Sequence, residues 1–223
     1  MPLHARARRT TAHRARLQWL LWIAVPLVII GGQFHPYLGF IVPVAMVTGM
    51  LSGAFRGRWA CGWICPRGGF LERFMARLSF RRRVPGLLRG YGFRWPVFAA
   101  LMSFMVYRIS LQPDSAAHWG AVFVSMCAIT TGIGLLLGVL YQPRAWCAIC
   151  PVGTFAGAVG GHKHALTIAE GCVSCRRCEK VCPLNLEIAK HAEAGVLENR
   201  DCVHCHECIK ACPKQLLDFD RAA

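Results

Sequence analysis

Negative charge is scarce in this chain, and lysine is absent from most of it. Only 11 of the 223 residues are Asp or Glu, against 26 Lys and Arg, for a formal net charge of +15. Before Lys163 every cationic side chain other than His is Arg, and the acids there are Glu72 and Asp114 alone. From Lys163 onward basic and acidic residues balance, so the basic excess belongs to the first part, which is also the apolar part. Nucleic-acid binding would set basic residues on a polar fold with aromatics interleaved. Here the arginines flank apolar runs instead, which is the pattern of membrane topology. Charged residues make up 17% of the chain and hydrophobic ones 55%, too little charge for an ordinary soluble protein. Histidine is missing from inside all the long apolar runs, which argues against a haem held by His in mid-membrane.

Those runs come in order. Residues 1–16 form a short Arg-rich segment with Arg6, Arg8, Arg9, Arg14 and Arg16. No small-residue cleavage site follows it, so it reads as a cytoplasmic anchor and not as a signal peptide. Leu17 to Phe34 and Tyr37 to Phe55 are the first two apolar runs, each near the ~20 residues that a spanning helix needs. Only His35-Pro36 separates them, which predicts a tight helical hairpin. Pro26 and Pro43 sit inside the runs, as membrane helices tolerate. Trp19 and Trp22 suit an interfacial aromatic belt. An Arg-dense loop, 56–94, leads to the third run, Phe93 to Leu111, and the fourth, Trp119 to Tyr141. The expectation is a mainly α protein: a four-helix transmembrane bundle over 17–160, followed by a small α+β two-cluster ferredoxin domain over 161–223. Arg asymmetry places both termini in the cytoplasm, a reducing compartment.

The domain expectation rests on cysteine spacing. Cys172, Cys175, Cys178 and Cys182-Pro183 form a C-x2-C-x2-C-x3-C-P run, and Cys202, Cys205, Cys208 and Cys212-Pro213 repeat it. This is the bacterial ferredoxin spacing for a 4Fe–4S cubane. Three thiolates in a short loop each reach one iron, and the fourth iron takes its ligand from the other run. One cluster is therefore assigned Cys172, Cys175, Cys178 and Cys212, the other Cys202, Cys205, Cys208 and Cys182. Zinc would leave a Cys of each run idle, and nothing suggests a secreted, disulfide-stapled domain. His204 and His206, between ligands, are expected on the surface.

The membrane part repeats internally. Arg58-Trp59-Ala60-Cys61-Gly62-Trp63-Ile64-Cys65-Pro66 after the second run corresponds to Arg144-Ala145-Trp146-Cys147-Ala148-Ile149-Cys150-Pro151 after the fourth. The two align through I-C-P-x-G-x-F, with one residue fewer between the cysteines in the second. Cys61, Cys65, Cys147 and Cys150 are candidate ligands for a metal or a third cluster across the repeat axis, or two redox-active dithiols. The unequal spacing counts against a symmetric cluster. Cys127, the remaining cysteine, reads as a packing residue.

Four membrane helices, the CGWICP and WCAICP motifs and a C-terminal two-cluster domain together resemble the NapH/NosR-like membrane iron–sulfur proteins. The resemblance covers nearly the whole chain. It implies a protein that takes electrons from membrane quinol and relays them to a partner redox protein, as a quinol dehydrogenase component. The chain departs from it in the shortened second motif and in carrying no large flavin domain of the NosR kind. A related branch, the CcoG-like proteins, shares CGWICP and assists oxidase assembly.

Two functions follow. In the first, quinol in the bilayer feeds electrons to the clusters and on to a partner; His35 and His118, in the outer connections, are candidate proton-exchanging residues. In the second, the membrane thiols bind or reduce a metal such as copper for a respiratory oxidase, since soft ligands suit Cu(I), with Met46, Met50, Met102, Met105 and Met126 as further sulfur.

Overall fold

The computed structural model describes residues 3–161 and 163–219. His162 and residues 220–223, inside the expected 161–223 domain, lie outside the described residues.

The Arg-rich start and the first apolar run make one long helix, α1 (His4–Phe34). Pro26 offers no N–H to the helix ladder, and the turn after it, Leu27–Gly31, widens to π spacing. His35, at φ −130° and ψ 91°, breaks the helix. A 3-10 turn, Pro36–Phe40, then leads into α2 (Ile41–Arg56). This is the expected hairpin. The first motif forms α3 (Trp59–Trp63) and α4 (Pro66–Met75). Beyond the Arg-dense loop come α5 (Tyr91–Ser110) and α6 (Ala116–Leu140). Ser115 caps α6, its hydroxyl accepting from the His118 N–H at 3.2 Å. The second motif forms α7 (Trp146–Ile149) and α8 (Pro151–Gly160).

Among the described residues three helices are long and apolar enough to cross a membrane: His4–Phe34, Pro36–Arg56 and Ala116–Leu140. The third expected run is helical for 20 residues, but it carries Arg94 and Arg108 and is not among them. Large apolar side chains such as Leu20, Ile30, Val44, Leu51, Val106 and Leu136 stand exposed on the long helices. So much unsatisfied apolar surface suits hydrocarbon surroundings. Close backbone approach ties α2 to α8. A Cβ on Gly160 would stand within 1.9 Å of the Gly53 carbonyl, so small residues set this contact.

The C-terminal part has two matched halves. Short helices α9 (Arg177–Val181) and α10 (Glu207–Ala211) pack together and each carries the third Cys of its run. Strands β1 (Thr167–Ile168) and β2 (Leu217–Asp218) pair antiparallel, Thr167 opposite Asp218. Backbone conformation repeats as well. Ser174, Arg176 and Asn185 in the first half have positive φ, and so do His204, His206 and Gln215 at the equivalent positions. Leu166, Leu184, Ile188, Leu197, Ile209 and Leu217 form the core between the halves, and Cys147 of the second membrane motif belongs to the same cluster.

Candidate iron–sulfur and thiol site

In the second Cys run the structure joins the three local cysteines to one from the other run. Cys182, Cys202, Cys205 and Cys208 line a single small cavity, walled by Leu166, Leu186, Ile188 and Phe219. The left-handed residues flanking Cys205 bend the loop so that backbone N–H groups face the sulfurs, a nest for an anion. Cys202 receives the His204 N–H and Cys205 the Glu207 N–H; Cys182 receives those of Leu184, Asn185 and Leu186. Such bonds are among the protein's levers on cluster potential. Burial pushes the Cys205 thiol up to about 11, and the thiols of Cys202 and Cys208 upward too. They become thiolates at neutral pH by binding a cation. Among the described residues no group of three or more His, Cys, Asp or Glu side chains is drawn together tightly enough for a single metal ion. One tetrahedral zinc would need its four sulfurs ≈ 2.3 Å from one point. Four sulfurs around one cavity, three of them receiving backbone N–H groups, are a donor set for a cubane in which each thiolate would take a different iron.

The other set is closer to solvent. Cys172 and Cys175 are exposed, Cys178 and Cys212 half-buried. The Cys212 carbonyl is engaged by His4 Nε2 of α1 at 2.7 Å.

The two membrane motifs fold alike despite their unequal spacing. Cys65 and Cys150 each occupy the N-cap of the following helix, with Pro66 and Pro151 at its first position. The extra residue is absorbed in one turn: the Cys65 N–H bonds back five residues to the Ala60 carbonyl, whereas the Cys150 N–H bonds back four to Trp146. The spacing that counted against symmetry is therefore compensated by backbone geometry. The structure brings the four thiols into one neighbourhood. Cys65 and Cys150 both act on Cys61 and on Cys147. Burial above all pushes Cys61 up to about 11 and Cys147 to about 12, opposed by Arg58 and Arg144.

Those two arginines were missed from the sequence. Each stands three residues before the first Cys of its motif and crosses to the other motif: Arg58 donates to the Cys147 carbonyl, and Arg144 to the Cys61 carbonyl at 3.1 Å. Both are fully buried. Burial works against their charge, and Asp201 beside Arg58 and Glu72 beside Arg144 favour it. Arg58 and Arg94 share Asp201, at 2.7 and 2.5 Å. Arg144 and Arg14 share Glu72, at 2.6 and 2.8 Å. Against the burial that would raise them, these cations hold both carboxyls below their ordinary range. A signal was present: Arg-x-x-Cys occurs in both motifs, and Glu72 is one of two acids before residue 163.

The first motif also docks the second Cys run. A Cβ on Gly62 would lie 2.0 Å from the Val203 carbonyl, so only Gly allows this approach. Trp63 Nε1 donates to the His204 carbonyl at 3.0 Å. Arg14 and Gln18 of α1 donate to the Gly62 carbonyl at 2.8 and 2.6 Å. His204 is not a surface residue as its sequence position suggested. It is 5% exposed, Nε2 bonded to the His164 carbonyl at 2.9 Å, and burial lowers its pKa to about 4. Cys127 packs beside Val28 and Val124, but its Sγ also accepts from the Arg67 guanidinium at 3.5 Å. His35 and Asp114 are exposed, and His118 bonds the Arg108 carbonyl at 2.8 Å; these connections lie at the opposite ends of the long helices from the cysteines.

Comparison with known proteins bears on both regions. Residues 171–217 match the family described as a 4Fe-4S dicluster domain. Residues 38–85 and 121–168 match the family described as a 4Fe-4S binding domain, and these segments contain the two membrane motifs. The methylamine utilization ferredoxin-type protein MauN of Methylorubrum extorquens is 28% identical over 136 residues, 56% of this chain and 47% of MauN. YccM of Escherichia coli, provisionally named an electron transport protein, is 26% identical over 185 residues, 71% of this chain and 49% of YccM. MauN of Paracoccus denitrificans is 24% identical over 184 residues, 74% of this chain and 62% of that protein. The chain spans about half the length of the first two. No solved structure matches it. The chain thus carries 4Fe–4S ferredoxin-type domains and has distant relatives named as ferredoxin-type proteins.

Proposed function

We propose that the chain is a membrane-bound iron–sulfur electron carrier that accepts electrons from quinol and passes them through two 4Fe–4S clusters to a redox partner. The observation that carries this reading is the order of the cysteine sets. The membrane motifs pack against the Cys202–Cys208 loop, while the other run's Cys172 and Cys175 lie open to solvent. A centre held by Cys182, Cys202, Cys205 and Cys208 would sit against the membrane part; one held by Cys172, Cys175, Cys178 and Cys212 would meet the partner. In this reading the chain has four spans, with α5 among them. Arg108 lies near its outer end, where a long side chain reaches the interface, and Arg94 near the other end is buried against Asp201. The Arg-rich end, the motifs and the ferredoxin domain then share the cytoplasmic side, and the NapH/NosR-like resemblance supports the quinol link.

In this reading the four membrane thiols beside Arg58 and Arg144 are the donor set for an anionic third cluster. Iron analysis of the purified protein distinguishes the cases: about 8 iron per chain for two cubanes, about 12 with a third. The function itself is tested by adding quinol to anaerobic membranes. Reduction of the clusters, followed by electron paramagnetic resonance, is expected; clusters that dithionite reduces and quinol does not would end the quinol-fed reading.

A further inference from the structure

An open cleft of about 350 Å³ lies where α1, the end of α2 and the Cys202–Cys208 loop meet. Its lining includes Arg56, Trp59, His164, His204, His206 and Phe219. Three observations say what it suits. First, its walls are planar and stacked. Trp59 stacks on Trp63 at 5.6 Å, His206 meets Trp63 edge-on at 6.3 Å, and Phe219 meets His206 at 4.8 Å. Second, a residue of its lining holds an unspent polar atom beneath the surface. His204 is only 5% exposed, and its Nδ1 is buried without a hydrogen-bond partner among the described residues. Third, it opens at the membrane boundary, since Arg56 is the last residue of the apolar segment Pro36–Arg56. An occupant would be a flat ring with hydrogen-bonding groups at its edge and a tail in the bilayer.

We propose that this cleft binds the head group of quinol. The inference rests on the quinol-fed reading above and names its site. The outer connections with His35 and His118 are the alternative, but they lie across a hydrocarbon layer ~30 Å thick from the cysteines. The cleft, by contrast, is lined by chain neighbours of both cysteine sets. Trp59 precedes Cys61 by two residues, and His204 and His206 flank Cys205. The ring lies between the aromatic walls, with His204 Nδ1 and the Arg56 guanidinium at its oxygens. On oxidation the quinol loses two electrons and its two hydroxyl protons and becomes quinone. The two electrons would be taken singly by the two oxidised 4Fe–4S clusters that the Cys runs would hold, and the protons leave to water through the open mouth.

The test is photolabelling of the cluster-loaded protein in membranes with an azido-benzoquinone bearing a short isoprenoid tail, followed by peptide mapping. Label is expected on segments 56–59 and 204–206, and excess unlabelled quinol should suppress it. Label confined to the His35 or His118 connections, or none that quinol suppresses, would overturn the cleft. As a second measurement, Arg56→Gln and Trp59→Ala should each raise the KM for quinol about ten-fold, the effect of losing one contact to a charged group or a ring. Cluster spectra and dithionite reduction should be unchanged. An unaltered KM in both variants overturns the site while wild-type reduction by quinol leaves the parent reading standing. Wild-type clusters that quinol does not reduce overturn both.

Discussion

Gly62 is the residue on which the two parts of the molecule touch most closely. Its Cα faces the Val203 carbonyl with no room for a Cβ, and its own carbonyl accepts from Arg14 and Gln18. Gly62→Ala must therefore push the Cys202–Cys208 loop away from the membrane motif. The expected result is a protein with both ferredoxin clusters and normal dithionite reduction, but slower reduction by quinol; an unchanged quinol rate would show that this contact does not serve transfer. Asp201 makes the second junction. It sits beside Cys202, between Arg58 and Arg94, which are both buried. Asp201→Asn leaves two buried guanidinium groups short of their counter-charge, a loss of about 3–5 kcal/mol. Thermal unfolding of the variant should begin lower, and limited proteolysis should separate the C-terminal part; a melting curve equal to wild type would refute the latch. These roles were not legible in the sequence. Gly62 and Trp63 stood in a recognised motif, yet nothing in a linear pattern says that a glycine is needed because a carbonyl from residue 203 approaches it. His204 shows the same limit: its place between two ligands says nothing of the side on which the chain folds over it.

At the scale of elements, apolar runs and cysteine spacing carried most of the information, because both are local signals. The hairpin at His35-Pro36, the helix after Ser115 and the matched halves around Cys175 and Cys205 all follow from neighbours in the chain. The one-residue difference between the motifs was read as broken symmetry. A wider turn at Ala60–Cys65 restores it, and turn width is decided by packing more than by residue type. The element still at issue is α5. Helix Tyr91–Ser110 is long enough for a span, but its two arginines lower its apolar character. A periplasm-active reporter inserted at Asp114 and another at Arg82 decide the matter. If α5 spans, the Asp114 fusion is active and the Arg82 fusion silent. Equal activity at both sites would mean that α5 does not cross.

Across the whole molecule, charge and sulfur are arranged in one sequence from the long apolar helices outward. Two motifs place Cys61, Cys65, Cys147 and Cys150 around crossed arginines; the Cys202–Cys208 loop packs on them; the Cys172–Cys178 loop faces away. If the membrane thiols hold a centre that relays electrons, removing two of them should disconnect the rest without dismantling it. Cys65 and Cys150 are the appropriate pair, because each caps the helix after its motif at the same position and neither is assigned to a ferredoxin cluster. Changing both to Ser replaces a sulfur with an oxygen of smaller size, and Ser is itself a favoured N-cap, so the helix starts should hold. The double variant is expected to keep the iron of two cubanes and full reduction by dithionite. Its reduction by quinol should fall by at least about ten-fold, since a thiolate bond to iron or another soft metal has no equal in a neutral hydroxyl. Quinol that reduces both clusters at the wild-type rate would take the motifs off the electron path. Copper bound by the wild type and lost from the variant would then move the metal-delivery reading ahead, with the same four cysteines serving as its site.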